Sequence, residues 1–128
     1  MAKYLFVMLG GALGAVSRFA LGTWVGRWYF AVFPLGTFLI NVTGSFLIGA
    51  LMMFFLNRPS IHANWRLFLV TGILGGYTTF SSFEWETLSA LRAGANAVAL
   101  SYLLLSVAVG LGGAWVGAML SNYFWPHS

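Results

Sequence analysis

Asn41, Phe80 and Phe83 are the residues in this chain best suited to handling an ion without a catalytic group. An Asn side chain offers two N–H donors. A phenyl ring is electropositive at its edge, so two ring edges can stabilise an anion. Phe80 and Phe83 stand three apart and share one helical face. Ring edges alone are weaker than hydration, so a strong donor such as Asn41 must help. Hydroxyls at Thr78, Thr79, Ser81 and Ser82, and at Ser101, Tyr102 and Ser106, could extend a donor line. The plainer use of the ring pair is aromatic packing, and a lone amide often only ties two membrane helices together.

Three charged residues accompany them. Arg18 can snorkel, pair with Glu84 or Glu86, or draw anions toward a vestibule. Glu84 and Glu86 are two apart and point in different helical directions, so they do not make a paired-carboxylate catalytic site. No Gly-rich phosphate loop followed by Lys is present, and no metal-ligand spacing. His62 and His127 are isolated near joints or ends. With no cysteine, thiolate chemistry and disulfides are excluded.

The elements that must position these groups are membrane spans. Of 128 residues, 60% are hydrophobic and only 6% are charged. A soluble domain is about 25% charged. Net charge is +4, but no basic cluster exists to track phosphates, which excludes a nucleic-acid partner. A spanning helix needs roughly 20 mostly apolar residues. Four stretches qualify: about Tyr4–Val25, Leu35–Leu56, Trp65–Leu91 and Ala97–Asn122, joined by short polar or Pro-containing turns. The first resembles a signal peptide around Lys3, but three similar segments follow, so we read it as a retained span. The expected fold is an all-α, single four-helix membrane domain over residues 1–128, with the lipid bilayer as solvent.

Small residues dominate the spans. Gly10 and Gly14, Gly72 and Gly76, and Gly113 and Gly117 are each four apart, placing each pair on one face for close helix packing. The third span is the most irregular. Gly75-Gly76 followed by Thr78-Thr79 are poor helix formers, which predicts a break between Gly75 and Thr79. Broken backbone at membrane depth survives only when buried in protein or lining a cavity. Its freed carbonyls can hold a cation, and its freed amides can face an anion. The alternative is a continuous helix packed closely at its glycines.

Topology is weakly specified. One side carries Lys3, Arg58 and Arg66; the other carries Arg27 and Arg92, with Arg18 leaning toward it. Either a weak bias is settled by the first helix, or copies insert both ways and pair as an antiparallel dimer.

The motifs Gly10-Gly11-Ala12-Leu13-Gly14 with Arg18, Gly36-Thr37-Phe38-Leu39-Ile40-Asn41-Val42-Thr43-Gly44 and Gly75-Gly76-Tyr77-Thr78-Thr79-Phe80-Ser81-Ser82-Phe83 resemble the Fluc family of bacterial fluoride channels, also called CrcB proteins. The resemblance covers essentially the whole chain. It implies a passive fluoride channel of the bacterial inner membrane, not an enzyme. It also implies an antiparallel, dual-topology homodimer with two pores and a structural sodium ion at its centre. By position, it makes Phe80 and Phe83 the rings of the fluoride path and Asn41 the pore asparagine. Backbone carbonyls of Gly75 and Thr78 would hold sodium. Ser82, Thr37, Tyr102 and Ser106 match or approximate polar pore positions, and Glu86 matches an acidic one. Two departures touch the polar path: Ser82 stands where threonine is expected, and Gly110 where some relatives carry serine. A proton-coupled exporter of the small multidrug type shares the size and charge balance, but uses an acid in its first span, where this chain carries Arg18 and no acid.

Overall fold

A computed structural model describes residues 1–127; Ser128, counted in the single domain above, lies outside them. Long apolar runs without proline give three uninterrupted helices: α1 (Ala2–Gly26), α2 (Leu35–Asn57) and the later Asn96–Phe124. Each is long and apolar enough to cross a membrane. The α1 helix has 25 residues. At a helical rise of about 1.5 Å per residue it reaches about 38 Å, more than a hydrocarbon core needs. Pro34 caps the start of α2, where its missing N–H costs nothing.

Between α2 and the last helix the chain is segmented. It runs through α3 (Ala63–Arg66), a π-helical stretch (Leu67–Leu74) and α4 (Gly75–Tyr77). Thr78 and Thr79 then take extended angles, φ −77° and ψ 157° at Thr78 and φ −148° and ψ 118° at Thr79. Helix resumes as α5 (Phe80–Arg92), and α6 (Asn96–Phe124) follows. Gly94 makes the tight turn into α6 with φ 76°. That left-handed conformation favours glycine. No strand is present among the described residues.

The packing is glycine-mediated, as the four-residue spacings predict. α2 lies along α6, while α1 lies along the π-helical stretch and α4. A Cβ on Gly117 would overlap the Phe46 carbonyl oxygen, and one on Gly49 the Ala114 carbonyl oxygen. Gly10 and Gly72 face one another, and Gly14 faces the Ile73 carbonyl. These contacts bring backbone against backbone, the arrangement that drives helix association where no hydrophobic effect operates. The enclosed apolar core is small: Ile40, Leu74, Phe83, Ala99 and Tyr102 are its centre. Most large apolar side chains, including Leu104, Leu111 and Trp115, face outward. Such a surface suits lipid and protein neighbours rather than water.

Candidate ion site at the Thr78–Thr79 stretch

The two extended residues at 78–79 strand backbone groups that a helix would satisfy, and side chains from α1 and α2 take them up. Asn41 Nδ2 donates to the Thr79 carbonyl at 2.9 Å, and Asn41 Oδ1 accepts from the Thr79 amide at 2.9 Å. Arg18 Nε donates to the Gly76 carbonyl at 3.0 Å. Arg18 therefore contacts backbone, and neither Glu84 nor Glu86 is its hydrogen-bond partner. Thr79 Oγ1 accepts from the Ser82 amide at 3.2 Å and lies 3.0 Å from Ser82 Oγ. It thereby caps the start of α5.

These bonds divert two amides from the carbonyls that a continuous helix would pair them with. The Thr79 amide, which a continuous helix would give to Gly75 oxygen, goes to Asn41. The Ser82 amide, which would go to Thr78 oxygen, goes to Thr79 Oγ1. The Gly75 and Thr78 carbonyls are thus oxygen donors released from those two bonds, a donor type suited to an alkali cation.

A cavity of about 330 Å³ opens on this region, lined by Asn41, Ser45, Leu74, Gly75, Thr78, Thr79 and Phe80. A second, of about 340 Å³ and also lined by Thr79, brings together Arg18, Thr23, Thr37 and Ser82. Its polar lining is one guanidinium and four hydroxyl side chains. Such a set favours anions over cations.

Beyond Phe83 the polar line continues. Thr37 Oγ1 donates to Glu86 Oε1 and Tyr102 O–H to Glu86 Oε2, each at 2.7 Å. Thr37 and Asn41 are four apart on α2, so one face of that helix serves both ends. The Phe83 ring meets Tyr102 with centroids 5.1 Å apart, and Phe33 meets Tyr102 at 5.4 Å; both pairs are edge-on. Phe80 and Phe83 stand 5.9 Å apart with planes tilted 46°. Ser106, one turn beyond Tyr102, has an enclosed hydroxyl with no hydrogen-bond partner among the described residues.

Asn41, Thr37, Phe83, Ser82, Glu86 and Tyr102 are therefore gathered into one region. Phe80 differs from Phe83: it is 74% exposed, while Phe83 is buried. Within one chain its outer face meets no described residue. Position 110 is filled in its own way: Ser45 Oγ lies 3.5 Å from where a Gly110 side chain would begin. Residue type alone does not single out Thr79 as the hub, nor Ser45, Thr43 and Tyr77. The only signal for Thr79 is its place as the second of two β-branched residues after paired glycines.

Known proteins resemble this chain over most of its length. Residues 5–118 match the family model described as CrcB-like protein, Camphor Resistance (CrcB). A protein of Solibacter usitatus (strain Ellin6076) named Fluoride-specific ion channel FluC is 48% identical over 120 residues, covering 94% of this chain and 98% of its own. A second of that name, from Acidobacterium capsulatum, is 45% identical over 120 residues, covering 94% and 96%. Another, from Anaeromyxobacter dehalogenans (strain 2CP-1 / ATCC BAA-258), is 42% identical over 123 residues, covering 96% and 98%.

Proposed function

The chain belongs to the CrcB family, and from that premise we propose that it is a fluoride-selective channel passing the ion passively down its electrochemical gradient. The observation that carries this reading is that the Asn41 amide and Phe80 line one cavity at the Thr78–Thr79 stretch, with the Phe83 ring 5.9 Å from that of Phe80. Fluoride is small and strongly hydrated, so entry requires replacement donors. Asn41 has a second N–H beyond the one given to Thr79. The ring edges, the hydroxyls of Ser82 and Ser106 and the Arg18 cavity supply the rest. Thr37, Glu86 and Tyr102 hold the far end of the polar line in place.

The working unit is an antiparallel homodimer with two pores, in the bacterial inner membrane. The balanced Lys and Arg distribution supports insertion in both orientations. The outward-facing Phe80 supports a second copy that completes the path. The segments from α3 to α5 together make the third of four spans, interrupted at Thr78 and Thr79. The Gly75 and Thr78 carbonyls, released from the Thr79 and Ser82 amides, would hold a structural sodium ion between subunits. Sodium there would supply positive charge that ties the two interrupted spans together.

Fluoride efflux from proteoliposomes, measured at several proton gradients and with chloride as control, tests the function. A channel releases fluoride without a proton gradient and retains chloride. Efflux that requires a proton gradient would instead identify an exporter, and no efflux would leave a structural subunit.

A further inference from the structure

α2 grips the segment around residues 77–79 at more places than Asn41. Thr43 Oγ1 lies 2.8 Å from the Tyr77 hydroxyl, 2.7 Å from the Leu39 carbonyl and 3.2 Å from the Ile40 carbonyl. A hydroxyl has one proton to give. A carbonyl can only accept, so the Thr43 proton can go to its own helix. With its proton there, Thr43 Oγ1 is the acceptor for the Tyr77 O–H, though either hydroxyl can donate in this pair. Next along α2, Gly44 leaves room for Thr78: a Cβ there would overlap Thr78 Cγ2 and come within 3.4 Å of Tyr77 Cδ1.

The contacts run in antiparallel order. Asn41 meets Thr79, Thr43 meets Tyr77, and Gly44 lies under Thr78 and Tyr77. Tyr77 ends α4, and Thr79 caps α5. One continuous helix therefore holds the last residue before the extended stretch and the last residue within it. Arg18 ties α4 to α1 through the Gly76 carbonyl, but Asn41 joins α2 only to the α5 side, so without a second clasp to α2 the α4 side could shift along α2 relative to α5.

We propose that the Tyr77–Thr43 hydrogen bond is the second clasp of a splint, with Asn41–Thr79 the first, and that Tyr77 is a positioning residue. The splint sets the spacing of the Gly75 and Thr78 carbonyls and the angle at which α5 presents Phe80. Tyr77 touches no ion. It acts by fixing backbone that other residues use. Its effect on transport rests on the fluoride-channel reading, whereas its effect on the backbone does not.

The test separates the two. Tyr77→Phe removes one hydroxyl of the pair and Thr43→Val the other; Thr43→Ser keeps both. Hydrogen exchange of peptides spanning Thr78 to Phe83, read by mass spectrometry on the detergent-purified protein, is expected to quicken about three- to tenfold in Tyr77→Phe and Thr43→Val, in line with loss of one hydrogen bond. It should quicken no further in the double variant and remain within about twofold of the parent in Thr43→Ser. In liposomes, the same two variants should lower the fluoride-to-chloride flux ratio, which a smaller amount of folded protein would not do. Unchanged exchange in both single variants, or effects that multiply in the double, would overturn the splint whatever the flux. Quickened exchange with an unchanged flux ratio would overturn its role in positioning Phe80. A parent protein that passes no fluoride would overturn the channel reading while exchange still decides the splint.

Discussion

Asn41 and Thr79 are joined at both ends of one amide, by Nδ2 to the Thr79 carbonyl and by the Thr79 amide to Oδ1, each at 2.9 Å. The pair resembles a rung of sheet pairing, made by a side chain in the middle of a helical protein. It explains how two extended residues persist inside the bundle: the groups most exposed by leaving the helix are satisfied from outside it. It also means that Asn41 has one N–H, not two, left for an ion.

Asn41→Asp is therefore a selective disruption. Its carboxylate still accepts from the Thr79 amide, but it cannot donate to the Thr79 carbonyl and it brings negative charge to the anion path. Leaving a buried acceptor unpaired costs about 1–3 kcal/mol. We expect the variant to assemble with lowered thermal stability and to lose fluoride flux by at least about a hundredfold, since a like charge repels the ion at short range. A thermal melt alongside the flux assay checks both.

Glycine contacts set the bundle's tolerance to added volume. At Gly117 an added methyl would strike the Phe46 carbonyl, which is backbone and cannot swing aside. Gly117→Ala is expected to destabilise the fold by about 1–3 kcal/mol, the usual range for overpacking. Gly112 has open space around its Cβ position, so Gly112→Ala should change little. Thermal denaturation in detergent distinguishes the two glycines.

Much of this architecture is readable in the residues, for identifiable reasons. Long apolar runs mark α1, α2 and α6 to within a few residues at each end, because hydropathy alone fixes where lipid can be crossed. Glycines at four-residue spacing mark the α1 contact with the π-helical stretch and the α2 contact with α6. Thr37, Asn41, Ser82, Phe83, Glu86 and Tyr102 do come together. The bonds that hold them are not readable. Arg18 to Gly76 spans 58 positions, and Tyr77 to Thr43 spans 34. Both depend on how far one helix slides along another, which no local pattern records. Residue types leave Arg18 several possible partners, because its actual one is a backbone carbonyl. Phe80 shows a different limit, since its outer face meets no described residue of its own chain.

Orientation in the membrane gives a prediction that needs no side-chain geometry. The Lys and Arg distribution scarcely favours either side. Two lysines appended after the last residue should lock one orientation and cut fluoride flux from the single gene several-fold. Co-expression with a copy biased the opposite way, by lysines in the 27–34 turn, should restore it. Full flux from the locked chain alone would contradict antiparallel pairing.

Fluoride passes the Phe80 ring edge on its way past Asn41: that is the central claim of the proposed channel. Fluoride efflux from liposomes carrying Phe80→Ile, normalised to assembled protein, tests it most directly. Isoleucine keeps an apolar side chain but has no electropositive ring edge. Flux is expected to fall at least about tenfold, about 1.4 kcal/mol in barrier, with assembly intact by size-exclusion chromatography. Flux equal to that of the parent would remove Phe80 from the path and contradict the claim.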